Sequence, residues 1–166
     1  MRDEIWNSLV DAQFKGFCLS TLLYDFQKRN KILDIILAIA SSGSIAAWTI
    51  WQNVPMVWGT IIAISQVITA IKPFFPYNKY IKVVNRKSHE CDFLNLDFER
   101  LWYETEHQEI SEKEAKDRYF KLREKVIEIS NFEDDMAFKI STKIEEQANK
   151  KTKELLQNKY NVTINI

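Results

Sequence analysis

The apolar positions of this chain follow two different patterns. Residues 35–71 contain no charged side chain, whereas the sequence on both sides is rich in Lys, Glu and Asp. The uncharged stretch is too long for one membrane span of roughly 20 residues and suits two spans. Pro55 disfavours helix at the preceding residue and suits the first turn of a new helix, so the break falls there. The pattern predicts two antiparallel membrane helices at about 32–51 and 56–75, with their backbone polar groups satisfied internally.

Basic residues flank the uncharged stretch, and the short turn inside it carries no charge. Lys28, Arg29 and Lys31 precede the stretch, and five basic residues with no acidic one occupy positions 72–87. Because basic flanks stay in the cytoplasm, both termini are predicted to be cytoplasmic. Asp34 is expected at the interface, facing Lys31 or the lysine at position 72, rather than buried in lipid. The alternative is a hairpin buried in a soluble bundle, which normally carries a polar stripe that these segments lack.

The first 31 residues show a helical period. Their apolar positions recur at alternating steps of three and four and share one face of a helix. These positions are Ile5, Leu9, Ala12, Gly16, Leu19, Leu23 and Phe26. Such a face could lie in the membrane interface or pack against later helices, and packing is the favoured interpretation.

Residues 77–107 are predicted to form a helix with a short coiled-coil pattern. Val84, Cys91, Phe98 and Thr105 are spaced by sevens, and leucines at 94 and 101 fill the other core position. Periodicity leaves open whether the partner of this seam is the same chain or another copy. If copies assemble, this seam and the next one are candidate interfaces.

Two further helices are predicted toward the C-terminus. Ser111 and Glu114 form a capping box that begins the first of them. Its seam comprises Ala115, Tyr119, Leu122, Val126 and Ile129. After an interruption near Asn131 the seam continues through Met136, Ile140, Ile144, Ala148 and Leu155. The tail at 161–166 alternates polar and apolar residues, which suits an edge strand or a flexible end.

The prediction is therefore an all-α membrane protein with three parts. They are an N-terminal amphipathic helix over 1–31, a transmembrane hairpin over 32–75 and a cytoplasmic helical domain over 76–166. Within the hairpin, residues four apart with small side chains suit close helix packing. These are Ala38, Ser42 and Ala46. Other polar side chains could bond between helices or line a water-filled path. The pore-lining candidates are Ser41, Ser44, Ser65 and Gln66.

Composition adds little catalytic chemistry. The formal net charge is zero, which gives no general polyanion-binding signature. No glycine-rich phosphate loop, metal-spaced Cys/His cluster or nucleophile motif occurs, so neither an enzyme nor a cofactor or metal is predicted. Cys18 and Cys91 are expected to be free buried thiols in a reducing compartment. Lys150, Lys151 and Lys153 form either a solvated face or a contact for an anionic ligand.

The order of these segments resembles the SLATT families. The residues that carry the resemblance are QKRNKILDIILAIASSGSIAAWTIW, then SQVITAIKPFFPYNKYIK, then FERLW, within roughly residues 1–110. SLATT proteins are small bacterial proteins with two transmembrane helices, found beside nucleotidyltransferase and nucleotide-sensor genes. The resemblance implies a pore-forming effector of an antiviral abortive-infection system, controlled by a nucleotide or oligonucleotide. A version resembling the Hailong type would act with a companion nucleotidyltransferase that makes nucleic-acid oligomers.

Two functions are therefore expected from different classes. The first is a homo-oligomeric pore in the lipid of the bacterial inner membrane. The second is a membrane-anchored helical scaffold that holds a cytoplasmic partner.

Overall fold

The computed structural model describes residues 1–51, 55–72, 77–131 and 140–161, with all their side chains except those of residues 40–51, 55 and 58. Over these ranges the chain is helical, with no strand, which confirms the all-α prediction. The helices are α1 (Arg2–Trp51), α2 (Pro55–Ile71), α3 (Tyr77–Glu106), α4 (Glu112–Ser130) and α5 (Thr142–Tyr160). Met136 and residues 162–166, for which a seam position and a strand or flexible end were predicted, lie outside the described ranges.

Helix α1 is longer than the pattern predicted. The amphipathic helix and the first hairpin helix were expected as separate segments, but they form one continuous helix of 50 residues. No proline occurs before Pro55, so nothing in this stretch removes a backbone donor from the helix. Helix α2 begins at Pro55, which confirms that this proline lies in the first turn of a new helix.

The chain divides into two compact units. Residues 1–23 and 82–166 form the bundle unit, and residues 24–81 form the hairpin unit. Helices α1 and α3 contribute residues to both. Over the part of the chain that is described, no helix has both the length and the apolar character that crossing a membrane requires.

The bundle unit is built around the apolar faces of α1, α3 and α4. Its buried cluster consists of Ile5, Leu9, Ala12, Leu94, Phe98, Leu101 and Leu122. The predicted packing of the N-terminal helix against the later helices is thereby confirmed. The partner of the α3 seam belongs to the same chain, so the expectation that this seam and the α4 seam are free to join copies is wrong.

Helix α4 begins at the predicted capping box. The Ser111 hydroxyl accepts a hydrogen bond from the backbone N–H of Glu114 at 3.3 Å. This bond satisfies one of the free donors at the helix start. The predicted α4 seam is also confirmed, because Ala115 and Leu122 are buried and Tyr119, Val126 and Ile129 pack against the buried cluster.

Helix α5 buries a different residue from the one predicted. Leu155 was placed in the seam, but Leu156 is fully buried and Leu155 is only partly so. The buried positions are Ile144, Ala148, Thr152 and Leu156, at uniform steps of four. Thr152 keeps this register because its hydroxyl donates to the Ala148 carbonyl at 2.8 Å, which allows a polar residue in the core.

Three aromatic rings hold the C-terminal end of α5 in the bundle unit. The Trp6 ring lies 5.2 Å from Trp102 and 5.1 Å from Tyr160, measured between centroids. Such tilted and edge-on pairs are favourable. Next to them, Lys159 forms an ion pair with Glu99. Burial, and after it the neighbouring Glu99, raises the pKa of the Tyr160 phenol.

Candidate functional site

An ion pair in the hairpin unit joins Asp34 of α1 to Lys72, the residue that follows α2. The Lys72 ammonium lies 2.7 Å from Asp34 Oδ1, and Asn30 Nδ2 donates to the other carboxylate oxygen at 3.1 Å. Of the two lysines predicted to face Asp34, Lys72 is the one that pairs with it. The arms from Asp34 to Trp51 and from Pro55 to Lys72 contain equal numbers of residues. An ion pair between Asp34 and Lys72 therefore aligns the two arms over their whole length.

Aromatic side chains of α1 and α3 contact each other within the hairpin unit. The Phe26 ring is 6.2 Å from Tyr77 and 6.0 Å from Tyr80, so the start of α3 contacts α1 within the hairpin unit. Aromatic residues of this kind are enriched at membrane interfaces.

The hydroxyl groups of α2 are satisfied inside the helix. Thr60 donates to the Met56 carbonyl at 2.9 Å, and Ser65 donates to the Ile62 carbonyl at 2.8 Å. Thr69 repeats the arrangement with the carbonyl of residue 65, also at 2.8 Å. Donors paired in this way need no water, so α2 can sit in apolar surroundings without unsatisfied hydroxyls.

The pore-lining candidates fall in different environments. Ser65 is buried within the chain, whereas its neighbour Gln66 is exposed. Two consecutive helical residues cannot face the same direction, so these two candidates do not share one surface. The side chains of Ser41 and Ser44 lie outside the described set.

Of the three small residues proposed for helix packing, Ala38 is the one whose side chain is described. Ala38 is exposed in the single chain. The side chains of Ser42 and Ala46, like those of the neighbouring serines, lie outside the described set.

Large apolar side chains cover the outside of the hairpin unit. Met56 is 86% exposed, and Ile39 and Val67 are more than half exposed. The exposed set comprises Ile32, Ile35, Ile39, Met56, Val57, Ile62, Ile64, Val67 and Ile71. An apolar surface shared by two helices marks a contact with lipid or with other protein.

The lysines proposed for an anionic ligand lie on the surface of α5. Lys150, Lys151 and Lys153 are all exposed. Lys150 lies 3.9 Å from Glu154, one turn later in the same helix. This geometry matches a solvated face as well as it matches a ligand contact.

Both cysteines are free and buried, as expected, and line one cavity of about 260 Å³ in the bundle unit. The Cys91 thiol donates to the Ala12 carbonyl at 3.4 Å. Burial raises the pKa of each thiol to about 11, with smaller contributions from nearby charges such as Glu145 beside Cys18. Thiols protonated at neutral pH are poor nucleophiles and metal ligands. Among the described residues, no group of His, Cys, Asp or Glu could hold a metal ion.

One buried lysine was missed by the sequence analysis. Lys87 on α3 donates to the Glu128 carbonyl at 2.9 Å, so its charge lies against the C-terminal turn of α4. A cation there satisfies a free carbonyl and complements the helix dipole. Its position three residues after buried Val84 was a usable signal, since that spacing returns to the same helix face.

Searches of protein-family models, of curated proteins and of solved structures find no match to this chain.

Proposed function

We propose that this chain is a homo-oligomeric, pore-forming effector of the bacterial inner membrane. In this proposal α1 and α2 cross the membrane as a pair, although neither described helix is by itself long and apolar enough to do so, and both termini lie in the cytoplasm. In this role the protein depolarises or permeabilises the membrane during an abortive-infection response, when a nucleotide or oligonucleotide signal changes. The resemblance to SLATT proteins supports the defence role and a companion nucleotidyltransferase.

The observation that carries the membrane proposal is the ion pair between Asp34 and Lys72. These residues are the charged groups immediately before and after the uncharged residues 35–71. The hairpin therefore brings its two bordering charges to one level. At about 1.5 Å per residue each arm extends about 26 Å from this level, against about 30 Å for the hydrocarbon core of a bilayer.

The exposed apolar surface supports the same proposal. Side chains such as Ile39, Met56 and Val67 are more than half exposed in the chain, and lipid tails would cover them. A helix satisfies its backbone polar groups internally, as lipid requires, and α1 and α2 are helices.

A pore requires several copies, because two helices cannot enclose a water path. The bundle seams are filled within each chain, so the copies would meet through their hairpin units. Gln66 is an exposed polar side chain beside the apolar Ile62 and Val67. An amide facing the axis would keep water in a narrow path. Ser41 and Ser44 are proposed to line the path with Gln66. Ser65, which is buried within the chain, would face away from it.

Membrane potential in living cells tests this proposal. The chain is expressed alone and with its genomic neighbour, and depolarisation is followed with a potential-sensitive dye. Gln66→Leu and Ser44→Leu should reach the membrane but fail to depolarise, because each replaces a polar group with an apolar one. Ile62→Leu, at an exposed apolar position, is the matched control and should behave as wild type.

An absence of depolarisation would support the second function, a membrane-anchored scaffold. Cells that stay polarised with wild-type protein, alone and with the neighbour, contradict the pore and favour a membrane-anchored scaffold. Depolarisation that is equal in the wild type and in the Gln66 and Ser44 variants, at matched expression, would remove these residues from the path.

A further inference from the structure

A cleft of about 230 Å³ lies between α3 and α4 in the bundle unit, and four basic side chains line it. They are Arg100, Arg118, Lys121 and Lys125. Leu101 and Leu122 form its apolar part, and Asp97 also lines it. The chain as a whole is neutral, so this local concentration of positive charge is a feature of the fold and not of the composition.

Two of these cations have carboxylate partners at the ends of the cleft. Lys125 lies 3.0 Å from Asp97 Oδ2, and Arg118 forms an ion pair with Glu104. The two pairs show that α3 and α4 run antiparallel, since positions 97 and 104 on α3 meet 125 and 118 on α4. The midpoint of the contact between α3 and α4 lies between these two ion pairs.

Arg100 and Lys121 occupy that middle position. Neither forms an ion pair with a carboxylate among the described residues of the chain. Two like charges in one cleft repel each other, and paired cations stand on both sides. A bound anion would remove the repulsion and satisfy donors that now face solvent.

We infer that this cleft binds a phosphate-bearing anion. The planar guanidinium of Arg100 can hold two phosphate oxygens at once, and the Lys121 ammonium adds a point charge. The volume equals several water molecules at about 30 Å³ each, which accommodates a phosphate group or a diphosphate. The ligand is the phosphate of a soluble nucleotide or of a lipid headgroup, because both present the same oxygens.

This site is distinct from the lysines on α5. Those side chains belong to one helix, whereas Arg100 lies on α3 and the other cleft cations lie on α4. The inference rests on the cleft alone and stands whether or not the hairpin conducts ions.

Calorimetric titration of the full chain in a non-ionic detergent at low salt tests the inference. One arm uses inorganic pyrophosphate, and the other uses a short-chain phosphatidylglycerol below its micelle concentration. Wild type should bind at least one of them, and the arm that binds identifies the source. Arg100→Gln with Lys121→Gln should weaken that binding about tenfold or more, since contacts to charged groups are strong.

A charge-matched control separates the cleft from general surface charge. Lys116→Gln with Arg123→Gln removes two exposed cations of α4 that do not line the cleft. It should leave binding unchanged. An equal loss in this control, or no binding of either probe to wild type, would overturn the inference.

Charge reversal at Lys121 gives a second test, in which stability should rise while binding is lost. Lys121→Glu should form an ion pair with Arg100, raising the Tm while abolishing binding. A variant that unfolds more easily and still binds the probe contradicts the arrangement. Binding and depolarisation are measured separately, so failure of this site leaves the proposed pore unaffected.

Discussion

Asp34 and Lys72, the charged residues that border residues 35–71, form an ion pair with 2.7 Å between Oδ1 and Nζ. The contact joins positions 38 residues apart in sequence. It fixes the register of α1 and α2 and places both ends of the uncharged stretch at the same level.

The ion pair should contribute modestly to stability. The Asp34 side chain is 51% exposed and that of Lys72 is 37% exposed, so water screens the attraction. A double-mutant cycle with Asp34→Asn and Lys72→Gln, measured by unfolding in detergent, should give a coupling below about 1 kcal/mol. Asp34→Lys alone should destabilise the hairpin, and adding Lys72→Asp should restore it. No recovery in the swapped variant would contradict the observed register.

Two leucines of α3 give a matched test of the bundle core. Leu101 is fully buried and Leu96 is 55% exposed. Leu101→Ala should lower the free energy of unfolding by about 2–5 kcal/mol, because it leaves a cavity among packed side chains. Leu96→Ala should change it by less than about 0.5 kcal/mol. If Leu101→Ala left folding intact and only dissociated an oligomer, the seam would join copies and not helices of one chain.

Two serines test the cap of α4. Ser111 and Ser141 both precede a helix, but only the Ser111 side chain makes a capping hydrogen bond. Ser111→Ala should therefore cost about 1 kcal/mol of stability in chemical denaturation. Ser141→Ala should cost a few tenths at most, since no such bond is lost. Equal costs would show that the Ser111 bond does not stabilise α4.

The buried thiols predict how stability changes at alkaline pH. Folding raises the pKa of Cys18 and Cys91 from 9.0 to about 11. Between these values the unfolded chain has lost protons that the folded chain retains, so the free energy of unfolding falls as pH rises. Below pH 9 both states hold the protons and the effect is absent.

Alkaline unfolding followed by circular dichroism measures this loss. Replacing both cysteines with Ala should flatten the decline between pH 9 and 11, and the contribution of Tyr160 remains as the background. A decline of the same size without the cysteines would show that the thiols do not contribute.

The sequence predicted most helices because their periodicity is set by local physics. The α3 seam is buried at Val84, Cys91 and Phe98, as sevenfold spacing requires. Ser111 begins α4 because the cap acts within three residues. These features depend on neighbours in sequence, so periodicity and capping rules could find them.

Contacts between distant residues were harder to predict. Periodicity could not choose between the same chain and a second copy as partner of the α3 seam. Thr152 was passed over because a search for apolar residues ignores a hydroxyl that bonds its own helix. The cleft at Arg100 and Lys121 depends on the register of α3 against α4, which two separate helical patterns do not specify.

The exposure of the hairpin turn in intact cells tests the membrane proposal most directly. Single cysteines are placed at Asn53, in the sequence-predicted turn, and at the exposed positions Lys82 and Glu154. A membrane-impermeant maleimide is then applied before and after permeabilisation. The wild type is the control, and its buried thiols with pKa values raised to about 11 should label slowly.

The Asn53→Cys protein should label from outside, and the Lys82→Cys and Glu154→Cys proteins should label only after permeabilisation. Labelling of the Lys82 site in intact cells would contradict the orientation. Equal labelling of all three sites would contradict the membrane hairpin.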